Sequence, residues 1–199
     1  LGLKNFKSTN PVAVGDRVNF SLEHNDEENL GIIQNILERK NYIVRKSVNL
    51  SKQSHILASN IDLLVMVITI KDPITTTSFI DRFLVNAEAY SIETLLVFNK
   101  YDIYNKEEQN KIDALVKIYS NIGYKCLLTS TINDLSISKL KDEVTKKTIM
   151  FGGHSGVGKT SLINAIDASL ELKVGDISSQ HMQGKHTTTY AELFDLDSN

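Results

Sequence analysis

The stretch Gly153-His154-Ser155-Gly156-Val157-Gly158-Lys159-Thr160 decides how this chain is read. It fits the pattern G-x-x-x-x-G-K-[ST], and it stands between an apolar run, Thr148 to Phe151, and a helical pattern through Ser161, Leu162, Ile163, Ala165 and Ile166. A strand that enters a glycine-rich turn and leaves it as a helix is the context in which this spacing has a physical use. Gly153, Gly156 and Gly158 let the backbone close around phosphate oxygens with its N–H groups pointing inward, and the helix that starts there adds the positive end of its dipole. On this reading Ser155, Val157 and Ser161 belong to the same cradle, Lys159 reaches the terminal phosphates, and the Thr160 hydroxyl ligates Mg²⁺.

Upstream of this loop, Leu63 to Thr69, Thr94 to Phe98 and Tyr124 to Leu128 are further near-continuous apolar runs of strand length. Such runs suit a parallel sheet covered on both faces. Between them Ile80, Phe83, Leu84 and Ala87 fall at i, i+3, i+4, i+7, as do Ile112, Leu115, Val116 and Tyr119, which marks one face of a helix in each case. Asn105 with Glu108 reads as an N-capping pair and Gly123 as a stop. The alternation predicts a three-layer α/β/α domain, residues 56–199. Residues 1–55 read differently. Val14 to Phe20 alternates apolar and polar, and with the short runs Gly31-Ile32-Ile33 and Tyr42-Ile43-Val44 it predicts a small β-barrel.

The phosphate loop does not specify a base, but Asn99-Lys100-Tyr101-Asp102 does. It follows directly on an apolar run, and a carboxylate at a strand end accepts from both N–H donors on the edge of guanine, where adenine has no matching pair. Two charge-assisted hydrogen bonds of roughly 1.5 to 3 kcal/mol each are enough to select GTP over ATP. Thr129-Ser130-Thr131, at the end of the next strand, either offers backbone N–H groups to the guanine carbonyl oxygen or is an ordinary turn.

In an ordinary GTPase the phosphate loop precedes N-K-x-D; here the order is reversed, which circular permutation explains. This order, with Pro11-Val12-Ala13-Val14-Gly15-Asp16 and Arg39-Lys40-Asn41 in front and Gly184-Lys185-His186-Thr187-Thr188-Thr189 behind, resembles the RsgA (YjeQ/EngC) family of circularly permuted GTPases. The resemblance implies a P-loop GTPase domain behind an OB-fold that binds RNA, with GTP and GDP as ligands. It implies hydrolysis of GTP during late maturation of the small ribosomal subunit, whose rRNA is the partner. It further implies Thr188, with Thr187 as the alternative, as a second Mg²⁺ contact and His186 as the catalytic histidine. His154 and His181 read as ordinary loop residues. The family continues past a strand here read over Tyr190 to Leu196 into a D-x-P-G turn and a zinc-binding domain. Both are expected outside these residues, so zinc is expected only there.

Composition agrees. The 199 residues carry 22 Lys+Arg and 24 Asp+Glu, a net −2 that excludes a basic nucleic-acid coat protein and an acidic disordered tail. Residues 1–58 are net +2, with Arg39, Lys40, Arg45, Lys46 and Lys52 in one window that forms the candidate RNA-binding patch. No run approaches the roughly 18 apolar residues of a membrane span, and no signal segment opens the chain, so a cytoplasmic protein, monomeric and without membrane contact, is expected. The single cysteine, Cys126, excludes a disulfide framework. A passive GTP sensor whose occupancy alone alters RNA binding is the competing reading. An ATP-dependent small-molecule kinase is disfavoured by Asn99 to Asp102.

Overall fold

The structure, a computed structural model, describes residues 12–24, 29–46, 54–173 and 192–196. Two compact units divide between Ile61 and Asp62. In the first, β1 (Val18–His24) pairs antiparallel with β2 (Asn29–Ile36), and β3 (Tyr42–Lys46) pairs antiparallel with β4 (Ser54–Ser59). Among the described residues these strands form two two-stranded sheets, with one isolated bridge from Val14 to Ala58, and the expected small barrel is not seen among them. The expected boundary after residue 55 falls inside β4. The physical reason is pattern: Ser54 to Ser59 does not continue the apolar run that follows, and it pairs with β3 and buries Ile56.

Polar side chains tie this unit together. Arg39 forks the Asp16 carboxylate through Nε and Nη2, each at 2.6 Å, and Ser59 Oγ and the Ala13 N–H donate to the same carboxylate at 2.6 and 2.9 Å. Burial pushes the Asp16 carboxyl up, but these hydrogen bonds and the Arg39 charge outweigh it and hold the pKa at about 2. Asn41 closes a second link, accepting from Ile61 N–H and donating to Ile61 C=O at 2.8 Å each. Gly15 is required where it stands, since its φ is +86° and a Cβ would lie 2.3 Å from the Ser59 carbonyl oxygen.

The second unit alternates β5 (Leu63–Ile68), α1 (Thr77–Ala89), β6 (Glu93–Phe98), α2 (Lys106–Asn121), β7 (Lys125–Leu128), α3 (Asp134–Val144), β8 (Ile149–Gly152) and α4 (Lys159–Ile166). The sheet order is β7-β6-β5-β8 and every pairing is parallel. Strand side chains alternate between faces, so the continuous runs serve two cores at once. Leu63, Val65, Val67, Leu95 and Val97 pack with Ile137, Leu140 and Val144 of α3 and with Leu162 and Ile166 of α4. Met66, Ile68, Leu96 and Phe98 pack with Ile80 and Leu84 of α1 and with Ile112 and Tyr119 of α2. The sheet therefore lies between two helical layers.

The helix ends follow the sequence signals. Thr76 caps α1, Asn105 and Glu108 form a reciprocal capping box on α2, and Asn133 caps α3. The sequence reading has no helix at α3, although Asn133 with Ile137, Leu140 and Val144 at helical spacing carries the signal. Glu192–Leu196, expected as strand, shows no strand pairing. Among the described residues no helix is long and apolar enough to cross a membrane.

Candidate nucleotide-binding site

Because the four strands are parallel, their C-terminal ends meet at one edge of the sheet, and the loops after β6, β7 and β8 that the sequence singled out leave from that edge. The chain runs outward from β5 through β6 to β7 and then crosses to β8 on the other side of β5. A crevice opens at such a switch point, where ligands of open α/β sheets bind. The loop after β8 lies there. Gly153 has φ +136° and a Cβ on it would stand 2.4 Å from the Val67 carbonyl oxygen; Gly158 has φ +96° and a Cβ would stand 2.4 Å from Asn99 Nδ2. Val157, fully buried in the α3/α4 core, anchors the loop from below. Lys159 turns back over it, donating to the carbonyls of Gly153 at 3.0 Å and His154 at 2.7 Å, and burial lowers the pKa of its ammonium. A half-buried cation over a glycine cradle at the start of α4 matches the charge and shape of a polyphosphate. The His154 ring packs on Phe79 with centroids 3.9 Å apart, which fits the ordinary role read for it.

The loop after β6 is joined to this one. Asn99, buried at the strand end, donates Nδ2 to the Val157 carbonyl at 2.9 Å and accepts from Thr129 Oγ1 at 3.0 Å. One amide thus fastens the ends of β6 and β7 to the phosphate loop. Lys100 takes a left-handed conformation, φ 61°, and sends Nζ to the Asp72 carbonyl at 2.6 Å. A 3-10 turn, Tyr101–Ile103, then presents Asp102 exposed at the sheet edge.

The turn after β7 requires a correction. Thr129 N–H donates to Phe98 C=O at 2.9 Å, and Ser130 N–H donates to Ser136 Oγ at 3.1 Å. The Thr129 N–H is engaged in pairing with β6 and the Ser130 N–H in holding the turn on α3, so of that triplet only the Thr131 N–H stays in play. The sequence could not show this because the partner, Ser136, lies on the unread helix. Thr160 and Ser161 sit half-buried in the first turn of α4, as expected. His186, Thr187, Thr188 and His181 lie outside the described residues. Among the described residues no cluster of His, Cys, Asp and Glu suits a metal ion. Thr160 alone would contribute its hydroxyl to a phosphate-bound Mg²⁺, whose chemistry is to neutralise phosphate charge.

A parallel sheet whose base-type loop precedes its phosphate loop defines a circularly permuted P-loop GTPase fold. The RsgA GTPase family model matches residues 36–199, and the chain belongs to that family. It is 54% identical over 197 residues to the small ribosomal subunit biogenesis GTPase RsgA of Christiangramia forsetii, covering 99% of this chain and 62% of the relative. It is 55% identical over 194 residues to the protein of the same name from Flavobacterium johnsoniae, covering 98% and 60%. Among solved structures it resembles YjeQ from Thermotoga maritima, with a TM-score of 0.69 and 35% identity over 94% of this chain and 57% of that one. It also resembles YloQ, a circularly permuted GTPase, with a TM-score of 0.60 and 34% identity over 84% and 53%. The chain spans about 60% of the length of the curated relatives it matches.

Proposed function

We propose that these residues form the guanine-nucleotide-binding part of a cytoplasmic GTPase that acts in maturation of the small ribosomal subunit. The observation that carries this reading is the hydrogen bond from Asn99 Nδ2 to the Val157 carbonyl, which sets a base-selecting loop and a phosphate cradle at a fixed distance on one sheet edge. Asp102 accepts from the guanine edge, Thr131 N–H faces the base carbonyl oxygen, the glycine loop and Lys159 hold the phosphates, and Thr160 faces Mg²⁺. His186 and Thr188 are the family-implied residues for water positioning and for the second Mg²⁺ contact. No arginine of the second unit other than Arg82 on α1 is available to neutralise charge, so slow intrinsic turnover accelerated by a partner follows.

The first unit is the RNA-holding module in this proposal, an OB-type barrel. Its basic patch is smaller than the sequence suggested: Arg39 is committed to Asp16, so RNA contact rests on Lys40, Arg45, Lys46 and Lys52. Of these, Lys40 is exposed, the side chains of Arg45 and Lys46 lie outside what is described, and Lys52 lies outside the described residues.

Competition titration with GDP, GTP, ADP and ATP tests the base assignment. Guanine nucleotides are expected to bind at least a hundredfold more tightly, and Asp102→Asn is expected to shift preference toward xanthosine nucleotides, whose edge suits an amide. Equal affinity for guanine and adenine nucleotides overturns the reading.

A further inference from the structure

Tyr104 lies just past the base-selecting loop, and neither the motif nor its spacing assigns it a part. Its side chain is 5% exposed, packed in the α1/α2 core, yet its hydroxyl is not idle. It donates to the Asn99 carbonyl at 3.2 Å and accepts from the Ile70 N–H at 3.3 Å. Asn99 C=O belongs to the peptide that enters Lys100, the residue whose left-handed φ of 61° reverses the chain so that Asp102 reaches the sheet edge. A left-handed lysine is strained by on the order of 1 kcal/mol and persists where its surroundings hold it. Ile70 opens the loop after β5, and that same loop receives Lys100 Nζ at the Asp72 carbonyl. Lys71 of this loop also pairs with Glu108 at 3.4 Å. The base-selecting loop is therefore latched from behind to the β5–α1 loop, and the Tyr104 hydroxyl is the buried member of the latch.

We propose that Tyr104 is a positioning residue for base selection: its hydroxyl holds the Asn99–Lys100 peptide against the β5–α1 loop and so fixes where Asp102 meets the purine edge. The inference rests on the guanine reading of Asp102. A tyrosine kept only for packing would be replaceable by phenylalanine at the cost of stability alone. A latch makes a different demand, because losing it blurs the position of Asp102 while the phosphate loop, held by Val157 and the Asn99 amide, keeps its shape. Burial also raises the Tyr104 phenol above its ordinary range, so the hydroxyl stays a donor across the pH range of any binding assay.

The test compares GDP with IDP, which lacks the exocyclic amine and so one of the two donors that Asp102 accepts from, and inorganic triphosphate reports the phosphate loop separately. Tyr104→Phe is expected to shrink the GDP-over-IDP preference by on the order of tenfold, one hydrogen bond's worth, with triphosphate affinity unchanged. Tyr119→Phe is the control. That hydroxyl donates to Asp81 Oδ1 at 2.9 Å in the same core but away from the base loop, so the variant is expected to lower the melting temperature and keep the wild-type preference. An unchanged preference in folded Tyr104→Phe, or an equal change in Tyr119→Phe, overturns the proposal. A wild-type chain with no preference for GDP over either IDP or ADP instead refutes the guanine reading beneath it.

Discussion

All six side chains of β5 are buried, whereas Phe20, Leu22, Leu30 and Ile33 of β1 and β2 are 59%, 57%, 50% and 46% exposed. Both regions are β structure rich in apolar residues, and what separates them is cover. β5 lies inside a parallel sheet with helices on both faces, so every position can be apolar. The β1–β2 hairpin has no helical layer among the described residues, and the first unit relies on directed polar links, Asp16 with Arg39, Ser59 and Ala13, and Asn41 with Ile61. Two ways of holding a fold follow. One is non-directional and indifferent to pH; the other is set by geometry and charge.

The largest expected effect falls where the buried sheet meets the site. In Gly158→Ala a Cβ at φ +96° must occupy space 2.4 Å from Asn99 Nδ2, so the variant must either strain its backbone or expel the amide that joins the two loops. A stability loss of roughly 2 to 4 kcal/mol is expected in thermal melts. Nucleotide affinity should drop at least a hundredfold. Wild-type affinity in Gly158→Ala would show that the loop and Asn99 are not coupled.

The polar unit offers a test by pH. Asp16 has its folded pKa held near 2 against an ordinary 3.8, so its contribution is complete above about pH 4 and is lost as pH falls through 4 toward 2. The difference corresponds to about 2 kcal/mol. Amide exchange in β1 to β4 should accelerate over that interval. Asp16→Asn should show the faster exchange already at neutral pH and lose the acid dependence, while exchange in β5 and β6 stays as in the wild type. Equal acid sensitivity in both units would erase the contrast drawn from their cores.

How far the sequence could be read divides along the same line. The buried strands and amphipathic helices of the second unit are set by short-range periodicity, so β5, β6, β8, the ends of α2 and the phosphate loop were legible to within a residue or two, and α1 through its apolar face, Ile80 to Ala87. Their common edge was also legible, since parallel strands have no other arrangement for their loops. Tyr104 was not, because its importance comes from Ile70, 34 residues away in sequence, and no local pattern encodes that distance. Ser130 was misread for a related reason: its N–H is claimed by Ser136. Arg39 looked like part of a charged face until Asp16, 23 residues earlier, proved to be its partner. Local pattern locates elements, whereas which polar group is free is decided by tertiary contacts.

The smallest effect sharpens the comparison by placing a directed polar link inside the second unit. Asn105 accepts from Glu108 N–H at 2.9 Å while Glu108 Oε2 accepts from Asn105 N–H at 2.9 Å, so two otherwise unpaired donors at the start of α2 are satisfied. Asn105→Ala removes one of these bonds and leaves the buried Ile112 and Tyr119 in place. A loss of about 1 kcal/mol is expected, seen as a small fall in melting temperature. The Glu107–Lys111 pair on the same helix cannot offset it, since both side chains are largely exposed and such pairs contribute a few tenths of a kcal/mol. The base loop ends one residue before this cap, with Tyr104 between core and turn. Because the cap orders α2 and the Tyr104 hydroxyl orders the loop, Asn105→Ala should leave the GDP-over-IDP preference within twofold of wild type. A larger change in nucleotide titration would mean that the helix start, and not the Tyr104 hydroxyl alone, sets the position of Asp102.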